Sequence, residues 1–70
     1  MGVSYKKLWK LLIDRDMKKK DLQAAAKVGP STISKLSNNE YVSMEVLVKI
    51  CTALKVDFSD IIEIVPDAHV

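Results

Sequence analysis

Short polar side chains are concentrated in the segment Gly29 to Asn39. Ile33 and Leu36 stand three positions apart and would form the apolar side of a helix, so the polar residues between and around them turn outward. The outward residues are Ser31, Thr32, Ser34, Lys35 and Ser37. Hydroxyl groups beside a cation can bond to base edges and phosphate oxygens. This pattern indicates contact with a nucleic acid.

Catalytic and metal-binding side chains are scarce in this chain. It has one cysteine and one histidine, whereas a catalytic or metal site needs several converging His, Cys, Asp or Glu residues. Cys51 is interpreted as a small buried hydrophobe and His69 as a solvated residue of the tail. The segment Gly29 to Thr32 lacks the second glycine and the Lys-Ser/Thr pair of a phosphate-binding loop. We therefore expect no enzyme, no metal site and no cofactor.

Two short helices joined by a tight turn are predicted to position the polar residues. The first would span Lys19 to Ala26, with Leu22, Ala25 and Ala26 facing inward. The second would begin at Gly29 as N-cap, with Pro30 at the first helical position, where its missing N–H is not needed. The pattern predicts a helix-turn-helix formed by helices 2 and 3.

Helical spacing of apolar residues predicts three more helices, and hence an all-α fold of five helices. Their expected ranges are about Ser4 to Arg15, Ser43 to Leu54, and a short last helix capped by Asp57 or Ser59 and stopped by Pro66. With 70 residues the chain has room for one domain, whose core would run from about residue 4 to 64 with a tail at 65–70.

Charge is divided unevenly along the chain. Residues 1–38 carry nine basic and three acidic side chains, a net +6, whereas residues 39–70 carry two and six, a net −4. The basic part contains the predicted helix-turn-helix, as expected for a polyanion binder. The run Lys18-Lys19-Lys20 stands at the positive end of a helix dipole, where cations lower the stability of the helix. This cost favours a binding role for the three lysines over the alternative that they are only a solvated helix start.

The chain lacks the usual features of secreted and membrane proteins. A lone Cys51 cannot form an internal disulfide, and no apolar run reaches the roughly 18 residues of a membrane span. Lys6, Lys7 and Lys10 interrupt the apolar residues near the N-terminus, unlike a signal peptide. We expect a soluble cytoplasmic protein with no membrane partner.

A series of landmarks follows in order between Tyr5 and Glu63. These are Leu8 and Leu11 before a turn, Met17-Lys18-Lys19 leading into the Leu22 helix, Val28-Gly29-Pro30-Ser31-Thr32-Ile33-Ser34-Lys35-Leu36, Asn38, and the helix Val46 to Leu54 followed by Lys55-Val56-Asp57. This order resembles the phage-repressor-like (xenobiotic response element, or Cro-type) helix-turn-helix regulators, and is most similar to very small members made of this domain alone. The resemblance implies a sequence-specific transcriptional regulator, with repression expected, that binds double-stranded DNA without catalysis.

The resemblance also implies which residues meet DNA. Base contacts are expected from Pro30, Ser31, Thr32, Ser34 and Lys35, and phosphate contacts from Lys18, Lys19, Lys20, Asn38, Asn39 and Tyr41. Pro30 departs from the long polar residue of many relatives, and Lys19 from the usual glutamine. Leu12 and Ser37 stand where relatives often pair an arginine with a glutamate, so an apolar contact is expected there instead.

Two copies are expected to bind half-sites about one helical turn, roughly 34 Å, apart. The expected homodimer interface consists of Trp9, Ile61, Ile62, Ile64 and Val65, with the acidic Glu63 and Asp67 pointing away from DNA. A second interpretation is open. A chain this short has few core residues, and these side chains could simply complete the core of a monomer.

A protein-interaction module, such as an antitoxin or an antirepressor acting on a regulatory protein, is the alternative function. The +6 charge of residues 1–38 favours DNA, because a pure interaction module does not need it. An antitoxin also commonly has a dedicated extension, and we expect none in this chain. The two roles can coexist in one protein.

Overall fold

The computed structural model describes residues 2–66, which form four α-helices, one short 3-10 helix and two short strands. In chain order these are β1 (Gly2–Ser4), α1 (Lys6–Asp14), α2 (Lys19–Ala26), α3 (Pro30–Ser37), α4 (Met44–Leu54), the 3-10 helix (Phe58–Asp60) and β2 (Glu63–Val65). The helix-turn-helix is therefore present with the predicted boundaries, and α4 likewise begins directly after Ser43.

The prediction of five helices is wrong at both ends of the fold. The N-cap position of α1 is Tyr5 and not Ser4, although the Ser4 hydroxyl accepts a bond of 3.3 Å from the Lys6 N–H. Ser4 belongs to β1, which pairs antiparallel with β2 so that Val3 lies opposite Ile64. The expected fifth helix is a single 3-10 turn, in which the Asp57 carboxylate accepts a bond from the Phe58 N–H. β-Branched residues in Glu63–Val65 suit a strand better than a helix, and β1 supplies the backbone bonds. Asp67 and His69 lie outside the described residues.

Local capping contacts mark the start of α4 and the ends of α2 and α4. The Ser43 hydroxyl accepts a hydrogen bond of 3.3 Å from the Val46 N–H at the start of α4. Lys27 and Lys55 follow α2 and α4 in the left-handed conformation, with φ of 56° and 57°. Their backbone N–H groups bond to carbonyls of the preceding turn, as in αL caps that use glycine more often. Both helix ends are thus closed by backbone bonds.

One core lies between the helices. Its buried residues are Tyr5, Leu8, Leu12, Leu22, Ala26, Leu36, Leu47, Ile50, Cys51, Leu54 and Ile61. Ala25, expected to face inward, is exposed. The packing of α2 against α4 is the most extensive between helices, and α3 packs against α2. In the part of the chain that is described, every helix is too short or too polar to span a bilayer.

Candidate nucleic-acid interface

The outward side of α3 carries three exposed polar residues, Ser31, Ser34 and Lys35, which we call the α3 polar face. Gly29 precedes the helix with extended backbone angles, and Pro30 occupies its first position. Within residues 2–66 the side chains of this face make no hydrogen bond or ion pair. A helical surface rich in donors and acceptors is therefore left open to an external ligand.

The opposite side of α3 attaches it to the domain. Leu36 is fully buried, and Ile33 is half-buried against the same core. Thr32 is half-buried as well, which separates it from the fully exposed residues of the α3 polar face. The predicted apolar spacing thus orients α3 as expected. Pro30 is exposed but has no N–H to offer, so it can contact a base only through van der Waals packing.

A cluster of lysines stands at the start of α2, beside the last turn of α3. The Lys18 N–H donates to the Asp21 carboxylate at 2.8 Å, which satisfies one free donor of the helix and leaves the Lys18 side chain exposed. Lys20, the second residue of α2, is exposed as well. All three lysines of this run are thus held on the ordered first turn of a helix.

Lys19 connects three helices. Its ammonium Nζ donates to Ser37 Oγ at 3.0 Å and lies 4.5 Å from the centroid of the Trp9 ring. Ser37 in turn donates to the Ile33 carbonyl at 3.0 Å. The apolar contact expected between Leu12 and Ser37 is wrong, because Leu12 is buried in the core while Ser37 is exposed and bonded to polar groups.

Tyr5 fixes the loop between α3 and α4. Its hydroxyl donates to the Glu40 carbonyl at 2.7 Å, and its backbone N–H donates to Asn39 Oδ1 at 3.1 Å. Asn39 has a φ of 55°, a conformation that asparagine tolerates better than most residues. Its amide oxygen accepts from Tyr5, and its amide NH2 group is the donor that a phosphate oxygen could use. Burial is the largest cause that raises the pKa of Tyr5 above its ordinary value.

Sequence reasoning missed the part played by Tyr5. The available signal was an aromatic residue directly before a basic helix, which does not identify a partner 34 positions along the chain. Asn38 and Tyr41, the other expected phosphate contacts of this loop, are both exposed, and Tyr41 has 71% of its surface accessible. The loop therefore presents polar groups on the same edge as the end of α3.

The residues expected at a dimer interface are not equally available. Ile61 is 0% exposed in the single chain, so its assignment to an interface is wrong and it belongs to the core. Ile62 is half-buried against that core. Ile64 and Val65 of β2 are 61% and 42% exposed. Trp9 is half-buried against the core, and the Lys19 ammonium lies over its ring.

The structure offers no metal-binding group of three or more His, Cys, Asp or Glu side chains among residues 2–66. Cys51 is buried on α4. Burial, followed by the charges of Asp57 and Asp60, raises the pKa of its thiol. A raised pKa lowers the fraction of thiolate, the form that acts as nucleophile and ligand. Cys51 is therefore a packing residue in this fold.

Comparison with known proteins gives two matches. Residues 7–67 match the family model of the Cro/C1-type helix-turn-helix DNA-binding domain. Among solved structures, the crystal structure of the transcriptional regulator VanUg (Form II) superposes with a TM-score of 0.90 and 59% sequence identity, covering 94% of this chain and 88% of that chain. No curated protein matches the chain significantly.

Proposed function

The chain belongs to the Cro/C1-type helix-turn-helix DNA-binding domains, and we propose that it regulates transcription as a dimer that reads a specific operator with α3 in the major groove. The α3 polar face carries this proposal. Its side chains have no bonding role inside residues 2–66, yet they stand on a helix whose other side is anchored by Leu36. The similarity to VanUg, a transcriptional regulator, supports the same reading.

Within this proposal, the α3 polar face reads the bases. Lys35 can donate to the O6 and N7 of guanine, and each specific contact of that kind discriminates by about 1–3 kcal/mol. Ser31 and Ser34 can donate to or accept from several base edges and discriminate less. Pro30 and the half-buried Thr32 would add packing against the groove, with the Thr32 methyl suited to a thymine methyl.

Phosphate contacts would come from both ends of the helix-turn-helix. Lys18, Lys19 and Lys20 stand at the start of α2, and Asn38, Asn39 and Tyr41 stand beyond α3. Phosphate contacts of this kind fix the register of α3 on the duplex without reading sequence. Because lysines supply most of them, the logarithm of affinity should fall with the logarithm of salt by about 0.9 for each neutralised phosphate.

Repression follows most simply from this geometry. A domain that occupies the major groove of a promoter excludes other proteins from the same DNA, and exclusion requires no additional contact with them. Activation would require a surface that engages the transcription machinery. We therefore propose repression as the consequence of operator binding.

For the dimer, we propose the outer edge of β2 as the interface with a second copy. β1 occupies one edge of β2, and among residues 2–66 no strand pairs with the other edge. Ile64 and Val65 on this strand are exposed β-branched residues, which favour strand pairing. A two-fold axis across β2 would pair it antiparallel with its copy and give each subunit the same environment.

Selection from a random duplex library, followed by sequencing, tests sequence-specific reading. Wild type should enrich a palindromic site whose half-sites lie about one turn apart. Lys35→Ala should relax the preference at one base pair of each half-site. Lys49→Ala, which removes a positive charge from α4, is the matched control and should enrich the wild-type site. Enrichment of no sequence, with only weak salt-sensitive binding, would contradict the proposal and favour a protein-interaction module.

Sedimentation of two isoleucine variants tests the proposed interface. Ile64→Asp should shift the protein towards the mass of one chain, because a carboxylate cannot be placed in an apolar strand pair at low cost. Ile13→Asp changes an equally exposed isoleucine on α1 and should leave the mass unchanged. A wild-type protein that sediments as one chain at micromolar concentration, alone and on its operator, would contradict the dimer.

A further inference from the structure

The ammonium of Lys19 is held at a point where three helices meet. Lys19 begins α2, Trp9 lies on α1 and Ser37 ends α3. The ammonium lies 4.5 Å from the ring centroid and 3.0 Å from the serine hydroxyl oxygen. A lysine with four side-chain torsions is otherwise among the most mobile groups on a protein surface. Two contacts from different helices restrict it to one place.

Both contacts are with neutral groups, so the charge of Lys19 is not cancelled. The ring offers its negative π face and Ser37 offers a lone pair. An ammonium has three N–H donors, and the hydroxyl uses one. The remaining donors can bond to an anion. A carboxylate partner would have neutralised the charge, and among residues 2–66 Lys19 has none.

We propose that Trp9 is a positioning residue for DNA binding: its ring and Ser37 hold the Lys19 ammonium ready for a backbone phosphate beside α3. This rests on the proposed DNA-binding function and deepens it. The proposal also assigns Trp9 to DNA binding and not to the expected dimer interface. The reason is that the ammonium of Lys19, the first residue of α2, lies over the Trp9 ring. Preorganisation raises affinity because less side-chain freedom is lost on binding.

Fluorescence provides a direct test, because Trp9 is the only tryptophan of the chain. Its emission should change when duplex DNA carrying the selected site is added, and the change should saturate together with the anisotropy of the labelled duplex. Dilution of the free protein across the dimer dissociation range should leave the emission unchanged. Emission that follows dilution but not DNA would overturn the proposal and return Trp9 to a subunit interface.

A double-mutant cycle tests the connection between Trp9 and Lys19. Trp9→Leu should weaken operator binding about two- to fivefold for each bound subunit, or about four- to 25-fold for the dimer, the range expected for one partly exposed cation–π contact per subunit. Trp9→Phe should recover most of the loss because it keeps an aromatic face. In the Lys19→Ala background, Trp9→Leu should have no further effect. Losses that simply add would overturn the proposal.

Two controls separate this proposal from folding defects and from the proposed function itself. Thermal unfolding should show every variant folded at the assay temperature, and Ile13→Ala, an exposed change on the same helix, should bind as wild type does. Lys19→Ala should reduce the salt slope by about 0.9 for each subunit, and so by about 1.8 for the bound dimer, because one phosphate contact is lost per subunit. If wild type binds no duplex, the DNA-binding function fails. If it binds but the Trp9 variants do not differ from it, only this inference fails.

Discussion

The α3 polar face and the region where β1, β2 and Ile61 meet use their side chains in contrasting ways. We call the second region the terminal closure. The α3 polar face is exposed and has no internal bonds within residues 2–66, whereas the terminal closure joins the two ends of the described chain and buries Ile61 fully. Substitutions in the first region should change binding without changing stability. Substitutions at the buried part of the second should do the reverse.

The largest expected effect is on the terminal closure. Ile61 follows the 3-10 helix, which contacts both α1 and α4. Ile61→Ala should lower the free energy of unfolding by about 2–5 kcal/mol, since it removes buried methylene and methyl groups and leaves a cavity. Urea denaturation measures the loss. Ile13→Ala, at a position 73% exposed, is the control and should stay within about 0.5 kcal/mol of wild type. Equal losses in both variants would contradict the burial of Ile61.

A second prediction concerns the α3 polar face and has the opposite signature. Ser34→Ala should weaken operator binding by about 0.5–1.5 kcal/mol, the net value of a neutral hydrogen bond. The same change should leave the free energy of unfolding unchanged or raise it by a few tenths of a kcal/mol, because alanine is the better helix former and Ser34 makes no side-chain bond within residues 2–66. Anisotropy titration and urea denaturation measure the two quantities. A variant that loses stability and affinity together would remove the distinction between the two regions.

The two regions also differ in how far the sequence predicts them. The α3 polar face follows from information within a few residues: Gly29 and Pro30 mark the start of the helix, and the spacing of Ile33 and Leu36 fixes its inner side. Such signals are local, so the boundaries of α2, α3 and α4 could be predicted. Whether each polar residue touches DNA was predicted from family resemblance and stays a prediction.

The terminal closure depends on pairing between distant residues. Val3 lies opposite Ile64, and a three-residue strand carries too little periodicity to be distinguished from a frayed helix end. The sequence also could not predict which of the neighbouring isoleucines and valine is buried. Which of these side chains faces inward depends on the secondary structure, and that was unknown. The contacts of Tyr5 could not be predicted for the same reason, because its partners lie far along the chain, on the loop after α3.

Tyr5 connects the two regions, and the smallest expected effect sharpens the comparison there. It follows β1 directly, and it holds the loop that ends the DNA-facing edge. Burial raises its pKa above the ordinary value of about 10, because the buried phenolate would lose its hydration. A group whose pKa is raised on folding contributes stability that is fully present below its unfolded pKa and is lost as pH rises through the folded value. Wild type should therefore lose stability above about pH 10.

Tyr5→Phe isolates this contribution. The variant should be less stable at pH 7, because the Glu40 carbonyl loses its hydroxyl donor, but its stability should fall less steeply than that of wild type as the pH rises above about 10. All other side chains are the same in both proteins, so the difference between the two urea-denaturation series is the informative quantity. Parallel curves would mean that the phenol is hydrated in the folded protein. Converging curves would mean that the Tyr5 hydroxyl, which holds the α3–α4 loop, lies in the same buried core as Ile61. The position of this loop would then depend on the packing of the core, whereas the side chains of the α3 polar face do not.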